Sequence, residues 1–173
     1  MEVLPESGIC LTPPYKTRCG FAKAAKGDGH SLALTSEGRT STWDAVFETN
    51  VRGPFLVARE ALAHLRAAHG RVVNIGSLGG SHAWAGHAHY SASKVTLHML
   101  TQAMAKAFAA EVSVNCMAPG WIEMDEQAAH FAAKTPMRRN GTAEEIAEAV
   151  LFFSAGSKVV TGQILTVDGG LGL

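Results

Sequence analysis

The chain has 173 residues, 47% of them hydrophobic and 17% charged, which suits one folded domain with a real core and excludes a disordered protein. Lys+Arg and Asp+Glu both number 15, so no charge excess points to nucleic acid or a membrane surface as partner. Cys10, Cys19 and Cys116 fit no metal-ligand spacing, and no apolar run suits a membrane span or signal peptide, so a cytoplasmic protein without a structural metal is expected.

Residues 1–38 carry Pro5, Pro13-Pro14 and scattered glycines with no sustained period, and read as an irregular N-terminal segment. From Thr40 the pattern sharpens. Thr40, Ser41 or Thr42 can cap a helix from about Trp43 to Ala68, stopped by Gly70. Residues 71–76 then read as a short buried strand leading into a loop with Ser77 and Gly79-Gly80. A long helix is expected from Tyr90 to about Ala110, with Val95, Leu97, Leu100, Met104 and Phe108 as its apolar surface. Residues 112–116 give a second strand, ending at Ala118-Pro119-Gly120. Thr142-Ala143-Glu144-Glu145 is a capping box that opens a third helix to about Gly156. Residues 163–167 form the last strand, closed by Asp168-Gly169-Gly170. Alternation of helix and strand with these connections predicts an α/β fold with parallel strands, about three of them, flanked by helices. Three strands make a narrow sheet, so this looks like part of a larger one.

Tyr90 and Lys94 lie four residues apart, which on a helix puts phenol and ammonium on one face. A cation beside a phenol favours the phenolate, so such a tyrosine can exchange protons with a carbonyl or alcohol oxygen nearer neutrality. Taken alone, the pair is also what two inconsequential helix neighbours look like. It does not stand alone. Asn50-Val51-Arg52-Gly53-Pro54-Phe55, Asn74-Ile75-Gly76-Ser77, Tyr90-Ser91-Ala92-Ser93-Lys94, Asn115-Cys116-Met117-Ala118-Pro119-Gly120 and Thr161-Gly162-Gln163 with Val167-Asp168-Gly169-Gly170 follow in order. With these pieces, residues 39–173 resemble the C-terminal half of a classical short-chain dehydrogenase/reductase, whose fold is a Rossmann-like doubly wound sheet.

The resemblance implies an NAD(P)-dependent oxidoreductase acting on a small-molecule carbonyl or alcohol through Asn50, Ser77, Tyr90 and Lys94. Tyr90 would be the general acid in reduction, Ser77 would hold the substrate oxygen, and Lys94 would lower the Tyr90 pKa and bind the nicotinamide ribose. Tyr90, Lys94, Pro119, Gly120 and Ile122 would contact NAD or NADP. Met124 stands where the family often has a threonine. Asn50 would bind a water that relays protons from Lys94. Pro54, four residues on, has no N–H for the Asn50 carbonyl, which gives that water a local reason to bind. The resemblance also implies a homo-oligomer formed through the long helices.

Other features are plainer. His82, His87 and His89 cluster before Tyr90 without a carboxylate or cysteine to complete a metal site, and read as loop or pocket-wall residues. His64 and His69 read as the exposed end of the first helix. Trp84, Trp121 and Met124 suggest an apolar pocket edge or simple packing. Gly27-Asp28-Gly29 lacks a preceding strand and a third glycine, so no segment matches the family's glycine-rich pyrophosphate turn. Three explanations stand for this: a misread gene start, a truncated product, or a sheet edge supplied by another chain. Weak or absent turnover is expected of this chain. The other reading is a non-catalytic remnant that serves as an interaction module.

Overall fold

The computed structural model describes residues 9–11, 40–123 and 128–173. Among them, β1 (Ile9–Leu11), β2 (Arg71–Ile75), β3 (Ser113–Pro119) and β4 (Ile164–Val167) form one parallel sheet in chain order. The α/β expectation holds, with a difference in count. The fourth strand, β1, comes from the segment read as irregular. It pairs Ile9 with Arg71 and Leu11 with Val73. Three residues are too few to show the alternation or the apolar run by which a strand is read from sequence.

The two central strands are buried from both sides, as parallel strands require. On one face, Val72 and Val114 pack with Ala58 and Leu65 of α2 (Gly53–Ala67) and Met104 and Ala105 of α3 (Ala88–Phe108). On the other, Val73 and Met117 pack with Phe153, Ile146 and Ala149 of α5 (Ala143–Ala155). A shorter helix, α4 (Ala128–Lys134), precedes α5 and was not expected from the sequence.

The first long helix is not continuous. It begins at Thr40, so the expected capping residues fall inside it. α1 (Thr40–Phe47) gives way to a π-helical turn over Glu48–Arg52 before α2 begins. Gly53 N–H donates to the Glu48 carbonyl, five residues back. Pro54 explains why the ordinary register fails here, since it has no N–H to offer Asn50. Such turns concentrate at functional sites.

α3 turns the expected face inward except at Val95: Leu97 and Met104 are buried, and Leu100 and Phe108 pack against the core. Val95 is 52% exposed, whereas Lys94, Leu97, His98, Thr101, Met104 and Ala105 are buried. The inward ridge at three- and four-residue spacing is therefore partly polar, which apolar spacing alone did not show.

α5 is held at both ends. Thr142 Oγ1 accepts from Glu145 N–H at 3.3 Å, and the Glu145 carboxylate accepts from Thr142 N–H at 3.0 Å. This is the capping box read from the sequence. At the other end, the Arg71 guanidinium of β2 donates to the Ser154 carbonyl and, at 2.6 Å, to that of Gly156. The helix axis is thereby fixed relative to the strand that leads to Ser77.

Candidate active site

The carboxyl ends of β2 and β3 carry the residues of interest, as open α/β sheets favour. Ser77 follows β2 in extended backbone and caps a 3-10 turn, Leu78–Gly80, with its Oγ accepting from Gly79 N–H at 3.1 Å. Tyr90 lies in the first turn of α3, where a Cβ built on Gly79 would touch both its ring, at 3.4 Å, and Ser77 Oγ, at 3.5 Å. Lys94 follows one turn later, with Nζ 5.7 Å from the centroid of the Tyr90 ring. Ser77, Tyr90 and Lys94 are thus brought together.

The electrostatics differ from the expectation in one respect. Burial pushes the Tyr90 phenol above its ordinary value, and the Ser77 hydrogen bond pulls it partway back. Lys94 Nζ donates to the Ile75 carbonyl at 2.9 Å and lies over the Tyr90 ring. Burial also lowers Lys94 itself, to about 8, because an ammonium out of water is disfavoured.

Asn50 joins the group from the side. Its Nδ2 donates to Ser93 Oγ at 3.0 Å, and Ser93 Oγ donates to the Tyr90 carbonyl at 2.7 Å. The π-helical turn is therefore tied to the first turn of α3 through a side chain, a contact sequence reasoning did not anticipate.

The β3 end is arranged around a different residue. Gly120 N–H donates to the Val167 carbonyl at 2.9 Å, and a Cβ at Gly120 would come within 2.5 Å of Asp168 Cβ. Only glycine allows that approach. The Asp168 carboxylate in turn accepts from Gly170 N–H at 2.9 Å and Gly172 N–H at 2.8 Å. Gly172 packs on Leu78, the neighbour of Ser77. Asp168 thus connects the Pro119-Gly120 corner to the Ser77 turn; the Asp-Gly-Gly sequence was its only advance signal. Ile122 is held elsewhere, in a parallel bridge to Gly141.

Trp84 and Trp121 do come together, with ring centroids 6.1 Å apart, and Phe131 stacks on Trp121 at 3.8 Å. Met124 and the Gly27-Asp28-Gly29 stretch lie outside the described residues. His87 Nδ1 meets the Ala85 carbonyl at 3.0 Å, and His89 lies 6.5 Å from Trp43. His64 and His69 are exposed. Among the described residues, no three His, Cys, Asp or Glu side chains converge as a metal site would need. A cavity of about 290 Å³ lies at the opposite end of the sheet, lined by Gly70, Val112 and Ser113 among others. It includes none of the Tyr90 group.

Whether a dinucleotide suits these residues divides by its two ends. At the nicotinamide end, Lys94 has three donors and gives one to Ile75, beside the half-buried Tyr90 phenol and the Gly120 corner. At the pyrophosphate end the described residues offer little. Gly79-Gly80 closes a 3-10 turn well before α3 begins at Ala88, so it places no helix N-terminus against a phosphate.

The chain has counterparts among known proteins in both sequence and fold. The family model for enoyl-(acyl carrier protein) reductase matches residues 19–172, beginning ahead of Thr40. Protein FixR of Bradyrhizobium diazoefficiens is 38% identical over 156 residues, covering 86% of this chain and 55% of that protein. The 3-oxoacyl-(acyl-carrier-protein) reductase FabG of Thermotoga maritima is 35% identical over 149 residues, covering 80% and 61%. Among solved structures, a gluconate 5-dehydrogenase from Burkholderia cenocepacia, in complex with NADP and tartrate, superimposes with a TM-score of 0.75 at 28% identity. That match covers 94% of this chain and 64% of the other. The chain therefore spans little more than half the length of these relatives.

Proposed function

Because the chain belongs to the classical short-chain dehydrogenase/reductase family, we propose that its site interconverts a carbonyl and an alcohol on a small molecule, with NAD or NADP as the redox partner. The observation that carries this reading is the placing of Tyr90 beside Ser77 at the end of β2, with Lys94 one turn away and its Nζ 5.7 Å from the centroid of the phenol ring. Tyr90 gives its proton to the substrate oxygen in reduction and takes it back in oxidation. Ser77 holds that oxygen and favours its negative charge. Lys94 and the Asn50 turn pass protons between Tyr90 and solvent. Lys94, Tyr90 and the Pro119-Gly120 corner hold the nicotinamide end, with Ile122 nearby in the chain. The cofactor supplies the hydride, which no side chain can.

Turnover by this chain alone is weak or absent, since its described residues provide no cradle for the pyrophosphate. The protein works in the cytoplasm as a homo-oligomer, apart from nucleic acid and membranes; among the described residues no helix is long and apolar enough to cross a bilayer. A second reading, a non-catalytic interaction module, is favoured by the exposed apolar side chains of α1 to α3, such as Trp43, Phe55 and Met99.

Titration of NADH and NADPH into the purified chain, followed by cofactor fluorescence or heat, tests the proposal. No saturable binding tighter than about 1 mM, roughly −4 kcal/mol, is expected. Tighter binding would overturn the claim of an incomplete cofactor site. In that case Tyr90→Phe should abolish turnover with affinity nearly unchanged, and surviving turnover would remove Tyr90 from the acid's role.

A further inference from the structure

His98 is a buried titratable side chain to which the proposed chemistry gives no task. It lies on α3 one turn beyond Lys94, is 8% exposed, and its Nε2 has no hydrogen-bond partner. A lone unpartnered nitrogen in the interior is unfavourable, so packing must account for the ring's position. The packing is specific. A Cβ built on Gly76 would lie 2.5 Å from His98 Nε2, and one built on Gly80 would lie 2.5 Å from its Cε1. Both distances are far inside contact, so the imidazole occupies a slot that exists only because these two positions are glycines.

Gly76 and Gly80 bracket Ser77. Between them the backbone is drawn tight: Gly76 N–H donates to the Met117 carbonyl at 2.7 Å and Gly80 N–H to the Ser77 carbonyl at 2.9 Å. The turn closes on the His98 ring from two sides, while a Cβ built on Gly79 would touch both Ser77 Oγ, at 3.5 Å, and the Tyr90 ring, at 3.4 Å. We propose that His98 is a positioning residue for Ser77: its ring, set in the slot between Gly76 and Gly80, fixes the turn so that the hydroxyl meets the Tyr90 phenol. The same helix carries the wedge, the phenol and Lys94, so α3 sets both partners of the hydrogen bond at once. The titratable groups that face the ring are Lys94 from α3, and Cys116 from β3, whose Sγ lies 2.7 Å from the same Gly76 Cβ position. The β2 end and the 3-10 turn present glycine backbone. Burial and Lys94 both keep His98 neutral, which suits a ring that serves by shape.

This rests on reading Ser77 and Tyr90 as the proton-handling pair, yet its test needs neither cofactor nor turnover. The chain has two tyrosines, Tyr15 and Tyr90. Protein carrying 13C at the tyrosine ζ carbon thus gives two signals, and Tyr90→Phe assigns them. Ser77→Ala should shift the Tyr90 signal by removing its hydrogen bond. His98→Ala should shift it in the same direction, with Tyr15 unmoved. The double variant should move it no further than Ser77→Ala alone, because both changes remove one interaction. A Tyr90 signal unmoved by His98→Ala, or shifts that add in full, would overturn the proposal. Should His98→Ala not fold, His98→Gln carries the same comparison with a smaller planar group in the slot. The cofactor titration can fail while this result stands, and the reverse.

Discussion

Lys94 and Cys116 interact in the interior and respond to alkali in opposite directions. Lys94 titrates at about 8 in the fold against 10.5 ordinarily. Between those values the unfolded chain holds a proton the folded one lacks, so stability rises with pH. Cys116 is pushed by burial from 9.0 to about 11. Between those values the folded chain keeps the extra proton, so stability falls. From pH 8 to 10 the lysine contributes a rise of about 2 kcal/mol and the thiol takes back roughly half. Urea unfolding at several pH values should show Cys116→Ala rising by about 2 kcal/mol over that range, twice the wild-type rise, with Lys94→Met abolishing it. A flat Cys116→Ala profile would contradict the buried state of Lys94. The four-residue spacing made the shared face of Tyr90 and Lys94 legible in the sequence. The direction of the Tyr90 shift was not, because it depends on burial under strands and loops far along the chain. The His98 slot was equally hidden, since two unremarkable glycines define it only once the turn closes.

Local signals and long-range ones separate cleanly in α5. Its start was readable from Thr142-Ala143-Glu144-Glu145, a four-residue unit whose bonds are internal. Its end was not, because the Arg71 side chain that caps it comes from β2, more than eighty residues earlier. The π-helical turn lies between these cases: Pro54 announced a lost hydrogen bond, but a continuous apolar pattern concealed the change of register. Thr142→Ala should cost about 1 kcal/mol in urea unfolding at neutral pH. Arg139 pairs with Glu145 at 2.8 Å, and with the Thr142 N–H it holds that carboxyl down to about 2, from 4.5. The sign follows: the contribution is present above 4.5 and is lost as pH falls toward 2. Glu145→Gln should therefore flatten the acid limb of the stability profile, while an unchanged limb would show that other carboxylates govern it.

The sheet as a whole explains how Ser77 and Pro119 are held in place. β2 and β3 are covered on both faces, by α2 and α3 on one and α5 on the other, so the strands that place Ser77 and Pro119 do not depend on further layers for burial. Strands β2 to β4 were legible as short apolar runs bounded by glycine and proline, whereas β1 has too few residues for any pattern. What the described fold leaves uncovered is the outside of the α1–α3 layer. Val95 and Met99, one turn apart on α3, are 52% and 63% exposed, and Phe55 and Val57 of α2 are 42% and 47% exposed. Apolar residues in this number on one helical layer are characteristic of a contact surface. A second copy of the chain fits it, because a symmetric pair buries the same face on both partners with no other component. Sedimentation across a concentration series should show a dimer that Met99→Glu dissociates, with little change in unfolding of the separated chain since Met99 is already in water there. A wild-type chain that stays monomeric at the highest concentration would assign that face to a different protein, and with it would favour the interaction-module reading over the enzyme.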